Sequence, residues 1–351
     1  MRCFAETKKT DLTLKDISSK KKMILRLICL VFWVPSLWID PLLNWRMIKG
    51  QLNDLDDKSV FILDHFQLWV LIFPLKRKFP NSEIFIVSHN LEYRNKLSYV
   101  KYAPFIFKIL ALLEVPSIYL WEKICAKKSI GVIAINSEDV EFFKNRFQCK
   151  KTALLYPYSN IQADYNLNNA NTNSNNLVLV GSYGYKAKEL NVLWLIGSIF
   201  ERISSKLPEL KLQIIGRGAS EALIEKTKLI SNIEFVGEVP ELESWYKNAF
   251  AVVIPERIGG GFKLKIIEAI NFKKPIIIHS DALRGSGLVD GEDCLAFDDD
   301  LTFIKAYKTL SNNKIFYNSI IQSAWNKRNE LYVKEKAKKA LEELLNKDEL
   351  R

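Results

Sequence analysis

Short apolar runs recur along the chain, and segments with helical spacing lie between them. The runs at 24–34, 60–63, 84–87, 131–135 and 152–156 read as strands, as do those at 177–180, 211–215, 233–236, 251–254 and 275–278. Helices are predicted over 191–205, 221–230, 241–248 and 264–271. Strands without an alternating polar face belong to parallel sheets, covered by helices on both sides. Their regular alternation with helices predicts an α/β fold. The alternation breaks once, over 160–176, where eight of 17 residues are asparagine and almost nothing is apolar. No core forms from such a stretch. It is read as a linker between two α/β domains that face each other across a cleft.

The expected organisation is a disordered basic tail over 1–22, a first domain over 23–159, the linker over 160–176, a second domain over 177–327 and an amphipathic helix over 328–351. The longest apolar stretch, from Met23 to Ile39, has 17 residues and is interrupted by Arg26, Pro35 and Ser36. A spanning helix needs about 20 residues. A signal peptide would require a small-residue cleavage site after the run that follows Lys20, Lys21 and Lys22, and none follows. The stretch is therefore read as a buried first strand, turned at Pro35.

Composition narrows the class. The five cysteines form no CxxC pair and only three histidines exist, which argues against a zinc site or a disulfide scaffold and fits a reducing compartment. Charge is uneven: residues 1–160 carry 25 lysines and arginines against 15 acids, while 161–351 carry 26 against 25. A basic half calls for an anionic partner, a membrane face or a nucleic acid. The same half holds Trp33, Trp38, Trp45, Trp69 and Trp121, and tryptophan favours interfaces that are apolar on one side and wet on the other. Between Tyr93 and Trp121, aromatics interleave with Arg94, Lys96, Lys101 and Lys108, as in a helix lying on anionic lipid. A core helix with a solvated basic face fits the same pattern. The pairing of charge and tryptophan favours an anionic membrane surface, with no nucleic acid expected.

Ligands of parallel sheets bind beyond the carboxyl ends of the strands. In the second domain these ends are rich in glycine: Gly181 and Gly184 follow one strand, Gly216-Arg217-Gly218 the next, and Gly237 the third. The fourth is followed by Gly259-Gly260-Gly261-Phe262-Lys263, with a helix expected to begin near Phe262 or Lys263. Glycines leading into a helix start let backbone N–H groups reach an anion. Lys263 and Lys265 add positive charge where the helix dipole disfavours it, and the first carboxylate after them is Glu268. A diphosphate on the glycines and lysines accounts for this. In the first domain, Asp64-His65 and His89-Asn90 close two strands on the cleft side, where a histidine bonds a ligand or serves as a base.

Three stretches resemble the GT-B glycosyltransferases of the family-4-like group: 84–94 (IFIVSHNLEYR), 177–195 (LVLVGSYGYKAKELNVLWL) and 251–300, with Pro255, the glycine run, Lys263, Lys265, Glu268-Ala269, Lys274-Pro275 and Gly287-Leu288. The resemblance implies the GT-B fold of two Rossmann-like domains and a nucleotide-diphosphate sugar donor held by the second. Gly181, the glycine run, Lys263 and Lys265 would hold the diphosphate, Glu268 the ribose hydroxyls, and the backbone near Gly237 the base. Gly216 and Arg217 join the candidate donor site, and Lys263, Lys265, His89 and His65 are the candidate catalytic groups. The family's commoner pattern has a glutamate eight residues before Glu268, where this chain has Gly260; its Pro-Asn is replaced by Ala187-Lys188. The implied activity is transfer of a sugar to a glycan or lipid-linked saccharide in cell-surface polysaccharide synthesis, retaining, with no cofactor and no metal. The expected location is cytoplasmic, on the inner face of the membrane. Asp298-Asp299-Asp300 is read as a solvated loop. A nucleotide-sugar epimerase of the same fold, a non-catalytic scaffold and a basic nucleic-acid binder are the alternatives.

Overall fold

The computed structural model describes residues 35, 38, 41–42, 44–100, 105–159 and 174–345. The basic tail, the strand expected over 24–34 and most of the asparagine-rich stretch lie outside the described residues. Two parallel sheets organise the rest. The first has the order β1 (Val60–Asp64), β2 (Glu83–Ser88), β3 (Gly131–Ala134), β4 (Thr152–Leu154). The second contains β5 (Asn176–Ser182), β6 (Lys211–Arg217), β7 (Ile233–Gly237), β8 (Ala251–Ile254), β9 (Ile276–His279) and β10 (Leu295–Phe297), in the order β10-β9-β8-β5-β6-β7. All four residues of β8 and of β9 are buried, as continuous apolar runs between helical layers require. β10 was not anticipated; with three residues it carries too little pattern to read.

Strand order positions the site. From β5 the chain fills one side of the second sheet with β6 and β7, then crosses to β8, β9 and β10 on the other. Helices leave β5 and β8 toward opposite faces, so a crevice opens between the carboxyl ends of these two strands. Local signals fix several helices: Asn136, Ser220 and Asn313 each accept a backbone N–H at a helix start. Asp299, placed above in a solvated loop, instead caps the helix Asp300–Asn312 in a capping box with Thr302.

Two sequence expectations are corrected. The chain's end is not one helix from 328: Lys314–Leu331 stops at Tyr332, whose buried ring donates its hydroxyl to the Ser286 carbonyl at 2.5 Å. A separate helix, Lys334–Leu345, then returns to the first domain and packs on β4, its Leu344 buried among Phe85, Ile133 and Ala153. Of the described aromatics between Tyr93 and Trp121, Tyr93, Tyr119 and Trp121 pack inward rather than in a lipid-facing row. Tyr93 stands edge-on to Tyr119, and Trp121 packs on Trp38 and Phe73. Trp38 and Trp69 are fully buried in the same core. Among its described residues the helix Phe105–Lys128 exposes the large apolar side chains Phe105, Ile109, Leu112, Leu113 and Leu120, a stripe at helical spacing. Among the described residues no helix is long and apolar enough to cross a membrane.

Candidate active site

A cavity of about 520 Å³ occupies the crevice beyond β5 and β8. The second domain lines it with Gly181, Lys188, Glu256, Lys263, Lys265 and Glu268, and the first domain closes it with Asn90, Asn95 and Tyr99. Its floor is the loop that follows β8. Asn191, buried on the helix Lys186–Trp194, clamps that loop: its oxygen accepts from the N–H groups of Arg257 and Ile258, and its amide donates to the Ile258 carbonyl, all at 3.0 Å. Three backbone groups that a buried loop would leave unpaired are thus satisfied by one side chain.

The glycines have a steric reason. Gly261 has φ +74°, and a Cβ there would stand 2.2 Å from the His89 carbonyl oxygen. At Gly260 a Cβ would stand 2.8 Å from Cβ of Asn90. Bare backbone therefore lets the two domains approach, and Asn90 fills the space a side chain at position 260 would need. Because Gly259 and Gly261 both adopt positive φ, the helix begins at Lys265, later than expected at Phe262 or Lys263.

The two lysines are not left with unopposed charge. Lys265 binds Oε1 of Glu256 at 2.5 Å, the pair being 14% and 9% exposed. Lys263 donates to the carbonyls of Gly259 and Gly260 at 3.1 and 2.8 Å. The counter-charge that the sequence reading assigned wholly to an anion is supplied in part by Glu256, nine residues before Lys265 and absent from the candidates. Burial pushes the Glu256 carboxyl up, but Lys265, with Lys263 beyond it, pulls it further down and keeps it ionised. Burial holds the Lys263 ammonium down to about 8, against the opposing pull of Glu256. Lys188 brings a third ammonium to the cavity from the position where the family's pattern has asparagine.

Glu268 faces the same cavity, and its Oε2 accepts from the Tyr246 hydroxyl at 3.0 Å. Tyr246 is fully buried and stacks on Phe272 at 4.6 Å, which fixes the carboxylate's orientation. Gly216, Arg217 and Gly237 do not line the cavity. A Cβ on Gly216 would stand 1.7 Å from the Gly181 carbonyl oxygen, so that glycine serves the pairing of β5 with β6. Arg217 projects outward toward Glu238 at 3.7 Å.

His65 and His89 lie at the ends of β1 and β2, outside the cavity lining, with their rings stacked at 3.9 Å. His89 Nε2 meets Asp64 Oδ1 at 2.6 Å, and that bond holds the Asp64 carboxyl below its usual range. His65 has φ +68°, a strained conformation for a residue with a Cβ. Donor atoms of Asp64, His65 and His89 lie within 4.8 Å of one another, as a metal trio requires. The ring geometry opposes one. An ion lies in the plane of each imidazole it binds, and two planes only 16° from parallel and 3.9 Å apart do not share a point near both rings. The trio is better described as an Asp64–His89 pair with His65 stacked over it.

The doubly wound second sheet and its crevice facing a smaller parallel-sheet domain define the class: the chain has the GT-B fold of glycosyltransferases. Residues 174–313 match the family model described as "Glycosyl transferases group 1". Among curated proteins none matches the chain by sequence. Among solved structures it is similar to S. aureus TarM in complex with UDP, at 16% identity and TM-score 0.64, over 85% of this chain and 58% of that one. It is also similar to sucrose-phosphate synthase from Thermosynechococcus elongatus, at 16% identity and TM-score 0.65, over 85% and 75%. A third is Anabaena HepE in complex with UDP, at 12% identity and TM-score 0.61, over 88% and 84%. The chain thus spans under two thirds of TarM.

Proposed function

We propose that this protein is a glycosyltransferase. It moves a sugar from a nucleotide diphosphate, held by the second domain, to a glycan or lipid-linked saccharide presented by the first, as in building a cell-surface polysaccharide. The observation that carries the reading is the convergence of Lys188, Lys263 and Lys265 with Glu268 in one interdomain cavity at the reversal of strand order. Ammonium groups offset the charge that grows on the diphosphate as the sugar–phosphate bond breaks, and a fixed carboxylate takes two ribose hydroxyls. Retention of configuration without a resident metal follows the family resemblance, with lysines in place of a cation. UDP is the nucleotide to test first, because TarM and HepE hold it.

The deciding experiment incubates the protein with UDP-, GDP-, ADP- and dTDP-sugars and measures release of the nucleotide diphosphate with and without saccharide acceptors. Acceptor-dependent release supports the transferase. Interconversion of the sugar without release supports the epimerase. No nucleotide binding, with or without capture of DNA, rejects both. Glu268→Ala should cost about 2–4 kcal/mol in kcat/KM for the donor, with a stability loss limited to the about 1–3 kcal/mol of the unmet Tyr246 hydroxyl. Full activity in that variant removes Glu268 from the site.

A pH dependence follows from Lys263. Its ammonium loses its proton near pH 8, well below an ordinary lysine, so the attraction for a diphosphate is complete below that pH and fades above it. UDP affinity measured by calorimetry should therefore fall as pH rises from about 7 to about 9.5, by up to tenfold per pH unit past the midpoint. Lys263→Arg should abolish the decline, since a guanidinium keeps its charge.

The stripe from Phe105 to Leu120, on the basic first half, is proposed to rest on an anionic membrane face. The protein should sediment with vesicles of anionic phospholipid at low salt and release at high salt, and Ile109→Ser with Leu113→Ser should abolish sedimentation. Equal binding to neutral vesicles would overturn the electrostatic part of this account.

A further inference from the structure

A second cavity, of about 620 Å³, lies along β4, at the opposite edge of the first sheet from β1. β4 and the residues before it form one wall, and the helix Lys334–Leu345 forms the other. Lys144, Lys150 and Lys151 line it from the first domain, and Lys336 and Lys339 from the helix. Glu343 is the one acid in the lining, and it already stands 3.8 Å from Lys339. Lys151 donates to the Leu344 carbonyl at 3.4 Å. Several lysines elsewhere on the surface are matched, Lys226 to Glu201, Lys228 to Glu225 and Lys247 to Glu243. Lys144, Lys150 and Lys336 are exposed and have no acid within reach among the described residues. Lys336 also stands in the first turn of its helix, where the dipole disfavours a cation, and Glu335 of that turn lies outside the lining. Gathering these ammonium groups costs electrostatic energy that an anion between them removes.

We propose that this cleft is a second anion site, which binds a molecule carrying several phosphate groups and no nucleobase, and so ties the helix Lys334–Leu345 to the first domain. The residue types specify the anion. No arginine lines the cleft, so nothing offers the planar fork that takes a carboxylate in two bonds. Ammonium groups on flexible stems act as point charges and suit phosphate. Nucleobases need exposed rings to stack on. The one aromatic residue of the lining, Tyr156, is 7% exposed and packs against Phe262 and Tyr332. The cleft is separate from the interdomain cavity: Tyr156 lines the one and Phe262 the other.

The test is calorimetry with inorganic tripolyphosphate on the full chain, with UDP present to fill the interdomain cavity. Lys150→Ala with Lys336→Ala should weaken binding at least ~10-fold, and Lys150→Arg with Lys336→Arg should stay within ~3-fold of wild type. Tripolyphosphate should raise the melting temperature of wild type and leave that of the alanine variant unchanged. Without the anion, the alanine variant should melt no lower than wild type, because a repulsion is gone. A lower value would show that the two lysines serve the fold, and would overturn the proposal. Lys228→Ala with Lys247→Ala removes as much charge elsewhere and should bind tripolyphosphate as wild type does. An equal loss there would reveal a diffuse attraction to a basic protein and no site. Single-stranded DNA bound more tightly than tripolyphosphate, and released by the same alanine pair, would overturn the class of ligand. The carrier of the phosphates is read by sedimenting the Ile109→Ser, Leu113→Ser protein with phosphatidylcholine vesicles that contain phosphatidylinositol bisphosphate. Sedimentation lost on adding the alanine pair assigns them to a lipid headgroup, and no sedimentation assigns them to a soluble molecule; the site stands in both cases. If UDP does not bind, the donor reading fails alone, and the difference between wild type and the alanine variant still decides this site.

Discussion

Lys265→Ala should destabilise the protein and silence it at once. The substitution strands the Glu256 carboxylate, 9% exposed, without its counter-ion. Breaking one side of a buried pair costs about 3–5 kcal/mol, far more than intact surface pairs contribute. On the donor-binding reading proposed above, turnover should fall by about 100- to 1000-fold, because an ammonium beside the leaving diphosphate stabilises the transition state more than the ground state. This reverses what helix electrostatics alone predicts, namely that removing a lysine from a helix start relieves strain. The two effects separate in the double variant Lys265→Ala with Glu256→Gln. Its melting temperature should return most of the way to wild type, since no buried charge is left unpaired, while turnover stays low. A single variant with wild-type stability would show that Glu256 does not depend on Lys265.

Asn191→Ala should be the most damaging change outside the charged groups. It removes three hydrogen bonds and leaves the N–H groups of Arg257 and Ile258 and the carbonyl of Ile258 to find new partners. With about 1–3 kcal/mol for each buried group left unmet and partial relaxation, the expected loss is about 3 kcal/mol, or roughly 6–12 °C in Tm. Activity should fall with it, because the clamped loop leads directly into the glycines. Asn191→Asp separates the contributions: it keeps an acceptor for both N–H groups but replaces the donor to Ile258 with a second oxygen that repels that carbonyl. Its Tm should lie between the other two, and a value equal to wild type would reduce the clamp to its two accepted bonds.

The architecture was readable because its signals are local and repeated. Runs such as Ala251–Ile254 are apolar at every position, and Ser220 marks the start of the helix expected from 221. The glycine-lysine stretch was legible as a cavity wall for the same reason, since its parts are neighbours in the chain. What stayed hidden depends on pairing across space. Glu256 reads as an ordinary loop glutamate until the fold turns it back onto Lys265. Asn191 sits mid-helix, where nothing in spacing distinguishes a clamp from a solvent-facing amide. Asp64 was seen only as the neighbour of His65, and its contact with His89 requires β1 and β2 to pair in parallel. Conversely, Gly216 and Gly237 looked like ligand positions because glycine at a strand end has two meanings. At Gly216 the nearby Gly181 carbonyl decides for the backbone.

The helix Lys334–Leu345 sets an order of events in synthesis. One layer of the first domain, around Phe85, Ile133 and Ala153, is completed by Leu344, which follows the second domain in the chain. Domains otherwise fold as they emerge, the earlier before the later. Here the earlier one stays open on that face until the ribosome has finished the second, so its apolar surface waits through the synthesis of nearly 200 further residues, from Ala153 to Leu344. A nascent chain halted anywhere in that interval carries an unfinished first domain, and a fragment ending at the asparagine-rich stretch should bind chaperones until the last helix is supplied in trans.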